Sequence, residues 1–162
     1  MQNYPLSLAL SGDATKPTTQ TFCTQWQCNK RHGMGSCAYS NGMRYEGMWE
    51  ADLMHGSGKL TDKGDKNCYA GDFEGGLKHG QGIETTADGH HYEGEFREGR
   101  MHGRGKMTYK SGDVYEGEWA RGKQEGTGEM KNLKEGWSYA GEWHKGRRSG
   151  KGVIKFANGD RL

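Results

Sequence analysis

The chain has 162 residues, of which 31% are hydrophobic, and it carries 23 Lys and Arg against 21 Asp and Glu. This length suits one ordinary domain, and a mean hydropathy of −1.08 excludes a thick apolar core. The 4 Phe, 5 Trp and 8 Tyr with only 2 Pro argue against disorder, and the near balance of charge gives no field that would indicate nucleic-acid binding.

Residues 1–21 do not share the pattern of the rest of the chain. Leu6, Leu8 and Leu10 alternate with other residues as in a strand, and Ser11-Gly12 suits a turn. We predict an N-terminal cap or extra strand over 1–21. The chain begins without a cationic stretch before an apolar run, and nowhere approaches about 20 consecutive apolar residues, so we expect neither a signal peptide nor a membrane helix.

From residue 22 onwards the sequence repeats every 23 or 24 residues, which predicts units at 22–44, 45–68, 69–91, 92–114, 115–138 and 139–162. Each unit opens with an aromatic residue, has a second one four residues later, and then carries two glycines separated by one residue. The opening residues are Phe22, Tyr45, Tyr69, Tyr92, Tyr115 and Tyr139. The second aromatic residues are Trp26, Trp49, Phe73, Phe96, Trp119 and Trp143.

Alternation within each unit predicts two β-strands. In the fourth unit Tyr92, Gly94 and Phe96 share one face of a strand, whereas Glu93 and Glu95 take the other. Residues 103–109 alternate in the same way after a bend. Each unit is therefore predicted to be an antiparallel hairpin.

Two kinds of turn connect these strands. The position seven residues after each opening aromatic holds only types that tolerate a positive φ, namely Asn29, Asp52, Gly76, Gly99, Gly122 and Gly146. We predict a left-handed backbone there. Between units, the dipeptides Asn41-Gly42, Asp88-Gly89, Ser111-Gly112 and Asn158-Gly159 predict type I′ turns.

These columns resemble the MORN-repeat motif, which runs Tyr-x-Gly-x-Trp/Phe and later His-Gly-x-Gly. Residues 92–105, YEGEFREGRMHGRG, show it most clearly. The resemblance covers six units over 22–162 and is weakest in the first, where Phe22 and Thr24 replace Tyr and Gly. The predicted fold is all-β, an elongated and twisted antiparallel meander of six tandem MORN β-hairpins.

Recurring histidines raise the hypothesis of a metal site, at His32, His55, His79 and His102. Equivalent positions of successive hairpins lie about 9–10 Å apart, however, whereas zinc ligands converge within about 2.3 Å of one ion. We interpret these histidines as loop caps. The cysteines Cys23, Cys28, Cys37 and Cys68 lack zinc-site spacing and are interpreted as free thiols, so no metal and no cofactor is expected.

The recurring carboxylates raise the hypothesis of an acid and base pair. Glu93 with Glu95, and Glu116 with Glu118, project from the polar face, where a solvated role is the simpler interpretation. No catalytic residues are expected, and we do not expect an enzyme.

The aromatic columns predict a partner-binding groove that would hold a helix or an extended segment of another protein. The competing explanation is that stacking consumes these rings. The open edges of the sheet would also allow self-association. The predicted groove residues are Tyr45, Trp49, Tyr69, Phe73, Tyr92, Phe96, Tyr115, Trp119, Tyr139 and Trp143.

Basic residues gather late in the chain and predict a weak contact with anionic lipid. The cluster comprises Lys145, Arg147, Arg148 and Lys151, with Lys155 beyond it. A solvated surface is the alternative, because no hydrophobic anchor accompanies these residues.

The resemblance to MORN proteins implies three settings: scaffolds of cilia and flagella such as radial-spoke components, membrane-junction proteins, and repeat domains attached to lipid kinases or lysine methyltransferases. We expect a non-catalytic protein-binding scaffold, a structural component of a cilium or flagellum axoneme or another cytoskeletal assembly, in the cytoplasm. The alternatives are a phospholipid-binding membrane-association module and a regulatory part of a larger enzyme.

Overall fold

The computed structural model describes residues 17–162, and their regular structure is a single antiparallel sheet of 12 strands in which each strand pairs with its neighbours in sequence. The predicted all-β meander is confirmed. Leu6, Leu8 and Leu10 of the predicted extra strand lie outside the described residues. The strands are β1 Pro17–Gln27, β2 Lys30–Tyr39, β3 Arg44–Glu50, β4 Leu53–Thr61, β5 Cys68–Glu74, β6 Leu77–Thr85, β7 His91–Arg97, β8 Arg100–Thr108, β9 Val114–Ala120, β10 Lys123–Asn132, β11 Trp137–His144 and β12 Arg147–Phe156.

A tyrosine ring lies across two glycines in each of the last five hairpins. In the hairpin β3–β4, Gly47 and Gly58 are register partners, and a Cβ atom added to Gly58 would stand 2.6 Å from Cε2 of Tyr45. The Tyr45 hydroxyl donates a hydrogen bond to the carbonyl of Met48 at 2.7 Å. The glycines are therefore required because the ring rests directly on the backbone.

The rings of successive hairpins pack edge to face. Tyr45 meets Trp49 of its own hairpin at 5.0 Å between ring centroids and Phe73 of the next hairpin at 5.2 Å. The same two contacts recur at Tyr69, Tyr92 and Tyr115. Each of these tyrosines consequently joins two hairpins, which is how a chain of this polarity builds a core.

The turn inside each hairpin is a two-residue loop with both residues left-handed. Ala51 and Asp52 have φ of 50° and 72°, and Glu98 and Gly99 have 52° and 77°. This is the signature of a type I′ turn. The left-handed backbone predicted seven residues after each opening aromatic is confirmed in all six hairpins.

The type I′ turns predicted between hairpins are wrong. In the four dipeptides only the glycine is left-handed, with φ of 87°, 86°, 89° and 91° at Gly42, Gly89, Gly112 and Gly159. In the first of these loops, Tyr39 N donates to Met43 O at 2.8 Å and Gly42 N donates to Tyr39 O at 2.9 Å. Three residues therefore separate the paired strand ends, and a loop of that length requires a left-handed backbone only at its last residue.

Replacing Gly58 with Ala tests the contact between ring and backbone. The new methyl group would displace the Tyr45 ring, so we expect the free energy of unfolding to fall by about 1–3 kcal/mol in urea denaturation. The neighbouring exposed Lys59→Ala is the control and should change it by less than about 0.5 kcal/mol. Equal stabilities for the two variants would contradict this account of the glycine column.

Burial of the tyrosines predicts a loss of stability at alkaline pH. Desolvation raises the pKa of Tyr39 and Tyr109 to about 12, and it also raises the pKa of Tyr45, Tyr69, Tyr92 and Tyr115 above the usual 10.0. Because the folded-state pKa lies above the unfolded value, this stabilisation is complete below about pH 10 and is lost as the pH rises through the folded pKa.

Phenolate absorbance measures this effect directly. Most tyrosines should remain protonated in the folded sheet above about pH 10 and ionise together with loss of the β-sheet signal in circular dichroism. Ionisation of all the tyrosines near pH 10 in a protein that stays folded would refute the expectation.

Candidate functional site

The ring face is the side of the sheet that carries the tyrosine, tryptophan and phenylalanine columns, and the outer face is the opposite side. The ten residues predicted to form a groove all lie together on the ring face, but they are its buried core. Their exposed fractions run from 0% at Tyr115 to 7% at Trp143, with Tyr45, Trp49, Tyr69, Phe73, Tyr92, Phe96, Trp119 and Tyr139 between these values. Packing against one another accounts for their burial, and a role of these ten rings in binding stays a prediction.

Half-buried hydrophobic side chains cover the rings and face the solvent from this side. They are Tyr39, Met43, Met54, Met101, Tyr109, Met130, Trp137 and Ile154. Sequence alternation pointed to Tyr109 but missed the column nine residues after each opening aromatic. That column contains Arg31, Met54, Lys78, Met101, Gln124 and Arg148, and its regular spacing was the signal that could have revealed it.

Three members of this column place cations against the rings. The Arg31 guanidinium carbon lies 3.9 Å from the centroid of the Trp49 ring, and the Arg31 Nε donates to Asp52 Oδ1 at 3.0 Å. Lys78 Nζ stands 5.0 Å from the Tyr69 ring, and Lys78 also donates to Glu84. Arg31 and Lys78 are thus mostly buried against the rings and are paired with carboxylates, so they add little positive charge to the accessible part of the ring face.

The predicted basic cluster is divided between the two faces. Arg148 pairs in register with Trp143, and its guanidinium carbon lies 5.3 Å from the Trp137 ring on the ring face. Arg147 pairs with His144, one residue along, and so lies on the outer face. Lys145 occupies the turn and Lys151 follows the glycine Gly150. All four side chains are exposed, and lipid contact through them stays a prediction.

Three carboxylates of the outer face, Asp72, Glu95 and Glu118, have a structural role. Each of the three accepts a hydrogen bond from the backbone amide that follows the left-handed first glycine of the pair. Glu95 accepts from Arg104 N at 2.9 Å, and Glu118 accepts from Thr127 N at 3.1 Å and from Thr127 Oγ1 at 2.7 Å. The Thr127 hydroxyl and then its amide lower the pKa of Glu118 below the usual 4.5. The carboxylates of Glu95 and Glu118 are therefore held by hydrogen bonds and are also in contact with solvent.

The histidine column lies beside the turns inside the hairpins. His32 Nε2 accepts a hydrogen bond from Ala51 N at 3.4 Å, as expected for a loop cap. His55 and His79 instead contact Glu50 and Glu74 through Nδ1 at 3.2 Å and 3.0 Å. Within residues 17–162, no group of three or more His, Cys, Asp or Glu is arranged to hold a metal ion.

Three cysteines of the described region, Cys28, Cys37 and Cys68, are free thiols, as interpreted from the sequence. The side chain of Cys23 lies outside what the structure describes. Over the same region, no helix is long and apolar enough to cross a membrane.

The repeat geometry agrees with the comparison to known protein families. The MORN repeat matches residues 25–44, 45–65, 69–91, 92–114, 115–131 and 139–161. The chain belongs to the MORN-repeat family. MORN repeats are non-catalytic modules of binding and scaffold proteins. No curated protein sequence matches this MORN-repeat chain.

Among solved structures, this MORN-repeat protein is similar to the TCP domain of SAS-4 (dCPAP) of Drosophila melanogaster, which was solved in complex with a proline-rich motif of Ana2 (dSTIL). The two share 14% sequence identity over 85% of this chain and 84% of that chain, with a TM-score of 0.45.

A threonine substitution tests the carboxylate contacts of the outer face. Thr127→Val removes the hydroxyl that lowers the Glu118 pKa most, so this pKa should rise, as measured by carboxyl NMR titration. Thr127→Ser keeps a hydroxyl and serves as the control. Because the folded pKa of Glu118 is depressed, its stabilisation is present above about pH 4.5 and is lost as the pH falls through the folded pKa. An unchanged titration in the valine variant would refute this role.

Proposed function

We propose that this MORN-repeat protein is a non-catalytic protein-binding scaffold whose ring face receives a helix or an extended segment of a partner. The observation that supports the proposal is the row of half-buried hydrophobic side chains on that face. Residues 17–162 form a single sheet, and within them no second layer packs over this row, so the row faces water there. Exposed apolar surface of this kind is typical of interaction sites.

The buried rings of the ring face and the half-buried side chains above them would have different roles. The buried rings hold the backbone rigid, whereas the side chains of Met43, Met54, Met101 and Met130 lie above them and can change rotamer to fit a partner. Twelve strands about 4.8 Å apart span roughly 50 Å, which is the length of a helix of about 35 residues. The proposed partner is therefore a long segment that contacts several hairpins.

The proposal places this scaffold in a cilium or flagellum axoneme or another cytoskeletal assembly of the cytoplasm. The resemblance to ciliary MORN scaffolds supports this setting. Self-association through the edge strand β12 would extend the scaffold. Leu162 pairs with this strand at Ile154, so the part of β12 before Ile154 would make the contact. The second candidate function is the binding of phospholipid through the exposed residues Lys145, Arg147, Arg148 and Lys151.

Charge substitutions on the two faces test the proposed surface. Met54→Glu with Met101→Glu should abolish partner capture, because each carboxylate would have to lose its water inside the contact. Ile83→Glu with Val153→Glu is the matched control on the outer face, where these residues are 42% and 44% exposed. The measurement is affinity capture from cell extract followed by cross-linking mass spectrometry.

Thermal denaturation of each double variant separates lost binding from lost folding. Partners that bind the wild type and the outer-face variant, but not the ring-face variant, would support the scaffold. Partners retained by a folded Met54→Glu, Met101→Glu protein would refute binding at the ring face.

A further inference from the structure

The two-residue turns of the six hairpins form one edge of the sheet, called here the turn edge. In the last three hairpins this edge is strongly basic. Each turn there carries two exposed cations within or beside it, namely Arg97 and Arg100, Arg121 and Lys123, and Lys145 and Arg147. In the second and third hairpins the matching positions contain Glu50, Leu53, Glu74 and Leu77. The first hairpin has one cation at these positions, Lys30, so an uninterrupted run of basic turns begins at the fourth hairpin.

Three of these cations form a regular row. Arg100, Lys123 and Arg147 are the first residues of β8, β10 and β12. Their register partners are Arg97, Ala120 and His144, and each partner directly follows a buried ring of its strand. All three cations consequently project from the outer face. Since one hairpin contributes two strands, the row advances by about 9.5 Å per cation.

The charges of this row are poorly compensated within the protein. Arg97 stands directly opposite Arg100 in the antiparallel pair, and like charges in that position are unfavourable. Among residues 17–162, the ion pairs do not include Arg97, Arg100, Lys123 or Arg147.

Five carboxylates of these three hairpins lie on the outer face or in the turns near the row. Glu95, Glu118 and Glu142 each precede a buried ring by one residue, and Glu95 and Glu118 accept hydrogen bonds from backbone amides. Glu98 occupies the fourth turn itself, and Glu125 accepts hydrogen bonds from Lys145 N at 3.0 Å and contacts His144 Nδ1 at 2.7 Å. Glu125 is thus bound by a backbone amide, as Glu95 and Glu118 are. The six cations of the three turns still outnumber these five carboxylates. The edge keeps a net positive charge.

We infer that the turn edge of the last three hairpins binds an acidic peptide segment in an extended conformation, with one carboxylate at every third residue. A polyproline II helix has three residues per turn, so every third carboxylate lies on the same side of it. Three residues advance about 9.3 Å in this helix, which matches the step of the row. Successive carboxylates would meet Arg100, Lys123 and Arg147 in turn. Arginine would hold its carboxylate through two parallel hydrogen bonds.

The shape of the row favours a peptide over a membrane surface. The row is one residue wide and follows the twist of the sheet, so a flat anionic surface would not contact all three cations at once. A peptide is narrow enough to lie along a row of this width. This site lies on the opposite face from the apolar row of the proposed scaffold, so it would serve a second partner or a second part of the same one.

A peptide of fixed spacing tests the inference. The probe is a fluorescein-labelled (Glu-Pro-Pro)₅ peptide, and its comparison is a peptide of the same composition with the five glutamates contiguous. Fluorescence anisotropy should show tighter binding of the spaced peptide, weakening as salt is added. The variant Arg100→Glu, Lys123→Glu, Arg147→Glu should bind it at least about tenfold more weakly.

A matched variant controls for overall charge. Lys63→Glu, Lys110→Glu, Lys134→Glu makes the same change in net charge in the loops at the opposite edge of the sheet, and it should keep the wild-type affinity. Circular dichroism establishes that both variants are folded. The variant Met54→Glu, Met101→Glu should also bind the spaced peptide as the wild type does, because the ring face takes no part.

Three outcomes would overturn the inference. Equal affinity for the spaced and contiguous peptides would show that spacing plays no role. Equal losses in the two triple variants would indicate overall charge in place of a site. Binding to phosphatidylserine vesicles, reduced in the turn-edge variant, together with no binding of either peptide, would assign the row to a membrane surface.

Discussion

The packing of a tyrosine ring on two facing glycines is the constraint on which the rest of this structure depends. In the fourth hairpin Gly94 and Gly105 are register partners, and the Tyr92 hydroxyl donates to Glu95 O at 3.0 Å. The absence of two Cβ atoms lets the ring lie on the backbone. A single sheet can then bury its large residues without a second layer above them, which resolves the apparent conflict between low hydropathy and a stable fold.

The same arrangement turns separate hairpins into one body. In the second to fifth hairpins, the opening tyrosine contacts the second aromatic residue of its own hairpin and the second aromatic residue of the next hairpin. No hairpin buries enough surface to fold alone, so stability is shared between neighbours. A platform built in this way is long and continuous, and its surface chemistry can vary from hairpin to hairpin without changing the fold.

Differences in surface chemistry therefore arise where the residues of one hairpin differ from the equivalent residues of its neighbours. The third hairpin places Lys78 and Glu84 in a buried ion pair where the fourth has Met101 and Met107. Burial of such a pair contributes little or nothing to stability compared with apolar residues. The change from acidic and leucine residues to cations along the turn edge is a second departure. The ion pair replaces side chains of the core itself, whereas the turn-edge cations lie outside the repeating core and are free to specify partners.

The sequence by itself determined the period, the two strands per unit, the faces of the rings and the left-handed positions, because these depend on local spacing and on backbone sterics. Burial of the ten rings was decided only by the tertiary structure, since alternation tells which face a ring occupies but not how much its neighbours cover it. The turn type at Asn41-Gly42 depended on which strand residues pair across the loop. Arg147 and Arg148 lie on opposite faces of the sheet because both belong to β12, in which adjacent residues point to opposite sides.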